Sequence, residues 1–384
     1  MSNQIVEMIE RALDAKLVPF LEGSPGVGKT QTVRSVADDF NLKLIDVRLS
    51  TLDPTDIAGL PSKVQVETLN GMNTDRIAHI PSKLFPLEGD ALPVKLDEHG
   101  QPLMRKQRDN KGNVLKDGKG NPLMEPDTYD GWLVVFEELP SCLPAMQAAA
   151  YKVLLEREVG EAKLHPAVEM IATGNRIKDK AVTMPMSTAL RTRLCFIEVD
   201  TDNVEWLKWA YANNIDSRIC TYLQWKPDLL DAFDPNIKQL NCPVPRTWEF
   251  ASRILDQDRS KGTSIDETTY RLLQGVIGAA AFEFRNFLNF FSALPSIAAI
   301  LKDPANADMP SEPGHQYALT SVLSEEMAKM GANVSDLVTY TERMQPELQA
   351  ITFMDGIRKN RKLLPHPAIV KWTSANKDMI NASI

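Results

Sequence analysis

Gly23-Ser24-Pro25-Gly26-Val27-Gly28-Lys29-Thr30 has the spacing G-x-x-x-x-G-K-[ST]. Residues of these types in this order suit one task, the cradling of phosphate. Glycines let successive backbone N–H groups turn inward around an anion. Lys29 brings a cation to β- and γ-phosphate oxygens, and the Thr30 hydroxyl faces Mg2+. Gln31 follows in the first turn of a helix whose positive N-terminal end points at the same anion.

A second set of residues would carry attack by water. Gly131 to Phe136 is an apolar run that ends in Glu137 and Glu138. The chemistry needs one acid near the Mg2+ shell and another to polarise the attacking water. By order, Glu137 joins Thr30 on the metal and Glu138 is the base. Glu137 is one methylene longer than an aspartate, so its carboxylate must fold back or act through a metal-bound water. Met170 to Asn175 is another apolar run with a polar end, and Asn175 suits a hydrogen bond to the γ-phosphate or the water. Arg191 and Arg193 precede the last strand, where a guanidinium can reach a neighbouring subunit's nucleotide; Arg193 is favoured over Arg191. Arg246 follows Pro245 at a helix start. A cation there opposes the helix dipole, which points to an external anion such as phosphate.

These residues need a scaffold that presents strand ends together. Leu17 to Leu21, Leu42 to Leu49, Leu133 to Phe136, Val168 to Ala172 and Leu194 to Val199 read as short buried strands. Helices are expected over residues 1–16, from Lys29 to Phe40 and from Pro144 to Glu156. Asp53 is placed to cap a short helix that starts at Pro54 and stops by Gly59 and Pro61. Strands alternating with helices predict a parallel α/β sheet. Beyond Val204 strand signals vanish, which sets a boundary near Asp200 to Asn203.

Residues 85–131 differ from the rest in Gly, Asp, Lys and Pro content. Asp97 to Leu103, Asp109 to Leu115 and Asp117 to Leu123 form a degenerate repeat. Each Asp-x-x-Gly supplies turn residues, and each leucine suits a short strand, so projecting hairpins are expected. The spacing lacks the alternating acids of a calcium loop. Lys95, Arg105, Lys106, Arg108 and Lys111 suggest a surface that grips a substrate or partner.

The 384 residues allow about two or three folding units at roughly 150 residues each. An apolar fraction of 43% and a charged fraction of 24% exclude wholesale disorder and collagen-like chains. The net charge of −8 weighs against a protein whose main task is coating nucleic acid. Cys142, Cys195, Cys220 and Cys242 are single and widely spaced, as expected of reduced thiols in a cytoplasmic protein. Glu7 and Glu10 argue against a signal peptide. The most apolar stretch, Gly275 to Leu301, contains Glu283, Arg285, Asn286, Asn289 and Pro295. It reads as buried helices and not as a membrane span.

The order of the motifs resembles that of the AAA+ ATPases and, within them, the MoxR branch. The stretches that carry the resemblance are LEGSPGVGKTQTVRSVA, DVRLSTLDPTDIAGLP, LVVFEELPSCLPAMQAAAYKVLLEREVG, MIATGNR, MSTALRTRL and CPVPRTWEFASRIL, from Leu17 to Leu255. The resemblance implies an α/β fold: a P-loop αβα sandwich with a parallel five-stranded sheet over residues 1–200, then an all-α lid and helical region over 201–384. It implies Gly23 to Thr30 as Walker A, Glu137 and Glu138 as Walker B, Asn175 as sensor 1, Arg193 as arginine finger and Arg246 as sensor 2. ATP and Mg2+ are the implied ligands. A ring, usually a hexamer, is the implied assembly, with residues 85–131 near its pore. Proteins of this branch often remodel other proteins beside a partner with a von Willebrand factor A domain. Two functions follow as expectations: an ATP-driven remodelling motor, or a nucleotide-gated scaffold with little hydrolysis. A nucleic-acid motor is the less favoured third, because the chain is acidic and has no aromatic-basic repeat.

Overall fold

The computed structural model describes residues 3–67, 73–109, 112–176, 179, 184–236, 241–258, 265–331 and 333–376. It divides into two compact units, Ser2–Asp200 and Thr201–Ile384.

The strands of the first unit are β1 (Val18–Glu22), β2 (Leu42–Arg48), β3 (Leu60–Glu67), β4 (Asn73–Ile80), β5 (Met104–Lys106), β6 (Met124–Pro126), β7 (Gly131–Glu137), β8 (Glu158–Val159), β9 (Ala162–Lys163), β10 (Val168–Gly174) and β11 (Leu194–Glu198). Its helices are α1 (Asn3–Asp14), α2 (Lys29–Asp39), α3 (Pro54–Ala58), α4 (Pro144–Glu156) and α5 (Thr188–Arg191). Five strands pair in parallel in the order β11-β1-β10-β7-β2. β7 is buried along its whole length because helices cover both faces of the sheet. Phe20, Val134, Phe136 and Ala172 pack into one cluster with Ala150 and Val153 of α4. The alternate residues Leu21, Leu133, Val135 and Ile171 are as deeply buried and face the other side. Each such side chain contributes about 1.5–3 kcal/mol by leaving water.

The short helix α3 is held as its sequence predicts. Asp53 accepts from the Thr55 N–H at 3.0 Å, and Asp56 returns the bond to the Asp53 N–H at 2.9 Å. The antiparallel hairpin β3–β4 that follows was not expected. It stands off the core with Leu60, Ile77 and Ile80 exposed, and the alternation in β3 is confined to the short run of Ser62, Val64 and Val66, which are half-buried. Pro61 in β3 weakens the strand signal further.

The 85–131 insert is more ordered than a set of separate hairpins. Lys95, Leu103 and Asp127 form a closed ring of backbone hydrogen bonds, each N–H donating to the next carbonyl at 2.7–2.8 Å. Gln107, Leu115 and Leu123 form a second ring at 2.8–2.9 Å. Each repeat leucine therefore sits at a three-way junction. The Asp97, Asp109 and Asp117 carboxylates accept backbone N–H groups of their own turns. These bonds hold the Asp117 carboxyl below the usual carboxylate range. Lys111 lies outside the described residues.

Among the described residues, the regular elements of the second unit are all helices: α6 (Asn203–Ala212), α7 (Ser217–Trp225), α8 (Pro245–Asp258), α9 (Glu267–Ile277), α10 (Ala280–Phe290), α11 (Ile297–Lys302), α12 (Pro313–Ala328), α13 (Val334–Thr341), α14 (Pro346–Lys359) and α15 (Pro367–Ala375), with short 3-10 turns between some of them. Tyr222, Trp248, Phe284 and Phe287 centre one core, and Leu323, Tyr340, Phe353 and Trp372 another. The stretch Ala280–Lys302 is apolar and long enough to cross a membrane by length and composition. Its helical course breaks between α10 and α11, where Leu294 and Ser296 are extended on either side of Pro295. Only 22% of its most apolar window is buried, so the expectation of buried helices needs correction. α10 buries Ala281, Phe284 and Phe287 on one face and leaves Phe282 exposed.

Candidate nucleotide site

The parallel sheet delivers the site residues at the carboxyl ends of its strands, where open α/β sheets bind ligands. After β1 the chain turns through Gly23 to Gly28 into α2. Gly28 has φ 96° and is the N-cap of α2. Such left-handed backbone favours glycine. It opens the helix with its first N–H groups directed outward and without an intrahelical acceptor. The Lys29 ammonium folds back over the loop and donates to the carbonyls of Gly23 (2.7 Å) and Ser24 (3.0 Å). It also donates to Asn175 Oδ1 at 3.0 Å, across from the end of β10.

Thr30 donates its hydroxyl to Glu137 Oε1 at 2.9 Å. Glu137 closes β7 and is buried. Its other oxygen, Oε2, accepts from Arg48 Nε (3.3 Å) and Nη2 (3.1 Å). Glu138 follows with φ 59°, an uncommon backbone for a non-glycine residue, and its Oε2 accepts from the Ser50 hydroxyl at 2.9 Å. Negative charge is concentrated here. Burial, and then the nearby Glu137, push the Asp46 carboxyl above its ordinary range.

The residues fit a magnesium nucleotide. Two hard oxygens, from Thr30 and Glu137, stand side by side, and a lysine lies over a loop opened by glycine. Mg2+ is usually held by one or two protein oxygens together with substrate phosphates. Among the described residues no group of three or more His, Cys, Asp and Glu side chains forms a metal cage.

Thus Lys29, Thr30, Glu137 and Asn175 come together, with Glu138 next in the chain. The arginine candidates have other surroundings. Arg193 is exposed, donates to Ala189 O of the preceding helix α5 at 2.9 Å and lies over the Tyr151 ring. Arg191 is exposed on α5. Arg246 is exposed in the first turn of α8, in the second unit. Arg48 and Ser50 were missed. A charged residue closing a predicted strand is a usable signal, but the partner of Arg48 becomes visible only through the register that pairs it with Glu137.

Residues 19–85 match the model of the AAA family, the ATPases associated with various cellular activities. No curated protein matches the chain. Among solved structures it is similar to the RuvB Holliday junction branch migration motor of Thermotoga maritima. The two are 13% identical over 79% of this chain and 75% of that one, with a TM-score of 0.35. It is also similar to NtrX from Brucella abortus in complex with ATP, at 10% identity over 99% of this chain and 67% of that one, with a TM-score of 0.36. The five-stranded parallel sheet with flanking helices, followed by a helical C-terminal region, has the architecture of the AAA+ P-loop fold.

Proposed function

We propose that the protein binds ATP with Mg2+ at the Gly23 to Gln31 loop and hydrolyses it to drive the remodelling of a protein partner. One observation carries the reading: two contacts, Lys29 with Asn175 and Thr30 with Glu137, join the start of α2 to the ends of β10 and β7 beside the glycine-bearing loop. In this reading Lys29 and the backbone from Gly23 to Gln31 hold the phosphates. Thr30 and Glu137 hold Mg2+, which when bound neutralises charge on the phosphate oxygens. Glu138 takes a proton from the attacking water, and Asn175 orients that water. Arg193 serves the nucleotide of a neighbouring subunit in a ring, and Arg246 contributes from the second unit. The motif order supports the MoxR branch as the closer kinship, a hexamer as the assembly and a von Willebrand factor A domain protein as a partner. The three-way junctions of the insert fit a surface that grips the substrate.

Glu138→Gln tests the reading. It removes the base and keeps the shape, so nucleotide binding should persist while turnover falls at least about 100-fold. Normal turnover by this variant would sink the mechanism.

One observation favours the scaffold reading. Both acids are already engaged, Glu137 by Arg48 and Glu138 by Ser50. Single-turnover hydrolysis in the assembled protein separates the two: a chemical step at the background rate favours the scaffold.

A further inference from the structure

We propose that Arg48 is a positioning residue that fixes which oxygen of Glu137 faces the metal side of the site. The inference rests on the magnesium nucleotide reading above. Glu137 is 6% exposed, and a buried carboxylate is costly unless its charge is paired. The pairing is unequal. Both guanidinium contacts, from Nε and Nη2, fall on Oε2. Oε1 is left to the Thr30 hydroxyl. A fork spanning both oxygens would have occupied the whole carboxylate.

The backbone makes this geometry dependable. Arg48 and Glu137 are directly paired across the parallel strands β2 and β7. The Thr51 hydroxyl donates to the Arg48 carbonyl at 2.9 Å and fastens the chain as it leaves β2. The Arg48 side chain is 55% exposed, and it reaches inward from the rim to a Glu137 side chain that is 8% exposed.

The need for such a clamp follows from the length of the acid. Glutamate has one more rotatable bond than aspartate and loses more side-chain freedom when fixed. An unclamped Glu137 has rotamers that turn both oxygens away from Thr30. Arg48 selects the rotamer that presents one oxygen there. An aspartate at 137 would be too short to need that selection. Partners that orient a metal ligand in this way typically change metal affinity by about 10–100-fold.

The test uses the full chain and Mn2+ as the probe, titrated by electron paramagnetic resonance at saturating ATP analogue that is not hydrolysed. Arg48→Ala should raise the Mn2+ concentration for half-saturation about tenfold, with Arg48→Met, which keeps the bulk, doing the same. In a Glu137→Asp background the same Arg48 substitutions should change it less than about twofold, because the shorter acid is not clamped. Thermal melts of each variant are compared, and the shift is read on Arg48→Met if Arg48→Ala does not fold. Unchanged or tighter Mn2+ binding by the Arg48 variants overturns the proposal. So does an equal shift in both backgrounds, which would make Arg48 a general electrostatic or structural contributor. If the unsubstituted protein binds no Mn2+ with nucleotide, the nucleotide reading fails and takes this proposal with it.

Discussion

A buried carboxylate is costly unless it is paired or holds its proton, and two such groups in this chain differ in their surroundings. Glu137 is paired, by Arg48 and Thr30. Asp355 on α14 is buried, with Arg358 Nη1 3.5 Å from its Oδ1. Burial pushes its carboxyl above the ordinary value of 3.8, against opposing contributions from Tyr211, Lys359, Arg358 and Gln224. A carboxyl whose folded value is raised binds its proton more tightly in the folded state. The stability it contributes is therefore full below 3.8 and is lost as pH rises through the raised value. Asp355→Asn supplies a neutral group of the same shape at every pH. Its melting temperature relative to the parent should rise across the pH range that begins at about 4. A constant difference across that range would mean that Lys359 and Arg358 keep Asp355 ionised.

Where elements meet, the close packing of the first unit explains why certain residues have no side chain to spare. β10 ends at Gly174, one residue before Asn175. A Cβ at Gly174 would lie 2.5 Å from Pro140 Cδ and 2.7 Å from Phe20 Cζ. The turn after β7 and the ring on β1 thus press on the end of β10, which carries Asn175 beside Lys29. Gly174→Ala should cost about 1–3 kcal/mol through overpacking. For a unit of this size that is a fall of about 2–4 °C in melting temperature per kcal/mol, measured by calorimetry. An unchanged melt would mean that β10 yields freely, and that the position of Asn175 is less fixed than its contacts suggest. In the insert, packing counts for less. There two rings of backbone hydrogen bonds and three aspartate-capped turns hold short strands together with much apolar side chain still exposed.

For the molecule as a whole, the proposed mechanism makes activity a property of the assembly. Arg193 is exposed and rests on its own unit, so in the ring reading it serves a neighbour's nucleotide. Turnover per chain should then rise with protein concentration. Arg193→Ala mixed into parent protein should inhibit more than in proportion to its fraction, measured by phosphate release. Strict proportionality would mean that each chain works alone. Much of this was legible in sequence. The strand ends, the P-loop, both acids and Asn175 were readable because a strand buried on two faces is an unbroken apolar run, and a run that stops at a polar residue marks its own end. The α3 cap was readable because it depends on residues three apart. The β3–β4 hairpin was not, because the alternation of Val64 and Val66 with Gln65 and Glu67 is short and Pro61 interrupts the strand before it. Nor were the three-way junctions, which join backbone groups with no side-chain signature, or the contacts of Arg48 and Ser50 with the two acids. Those pairings link positions about ninety residues apart, and only the register of β2 on β7 brings them together. The sequence by itself determined which residues are candidates for the chemistry, because residue type and spacing set charge, reach and backbone freedom. The tertiary structure decided which of them touch, because contact between distant positions depends on strand order and register, and no local pattern encodes either.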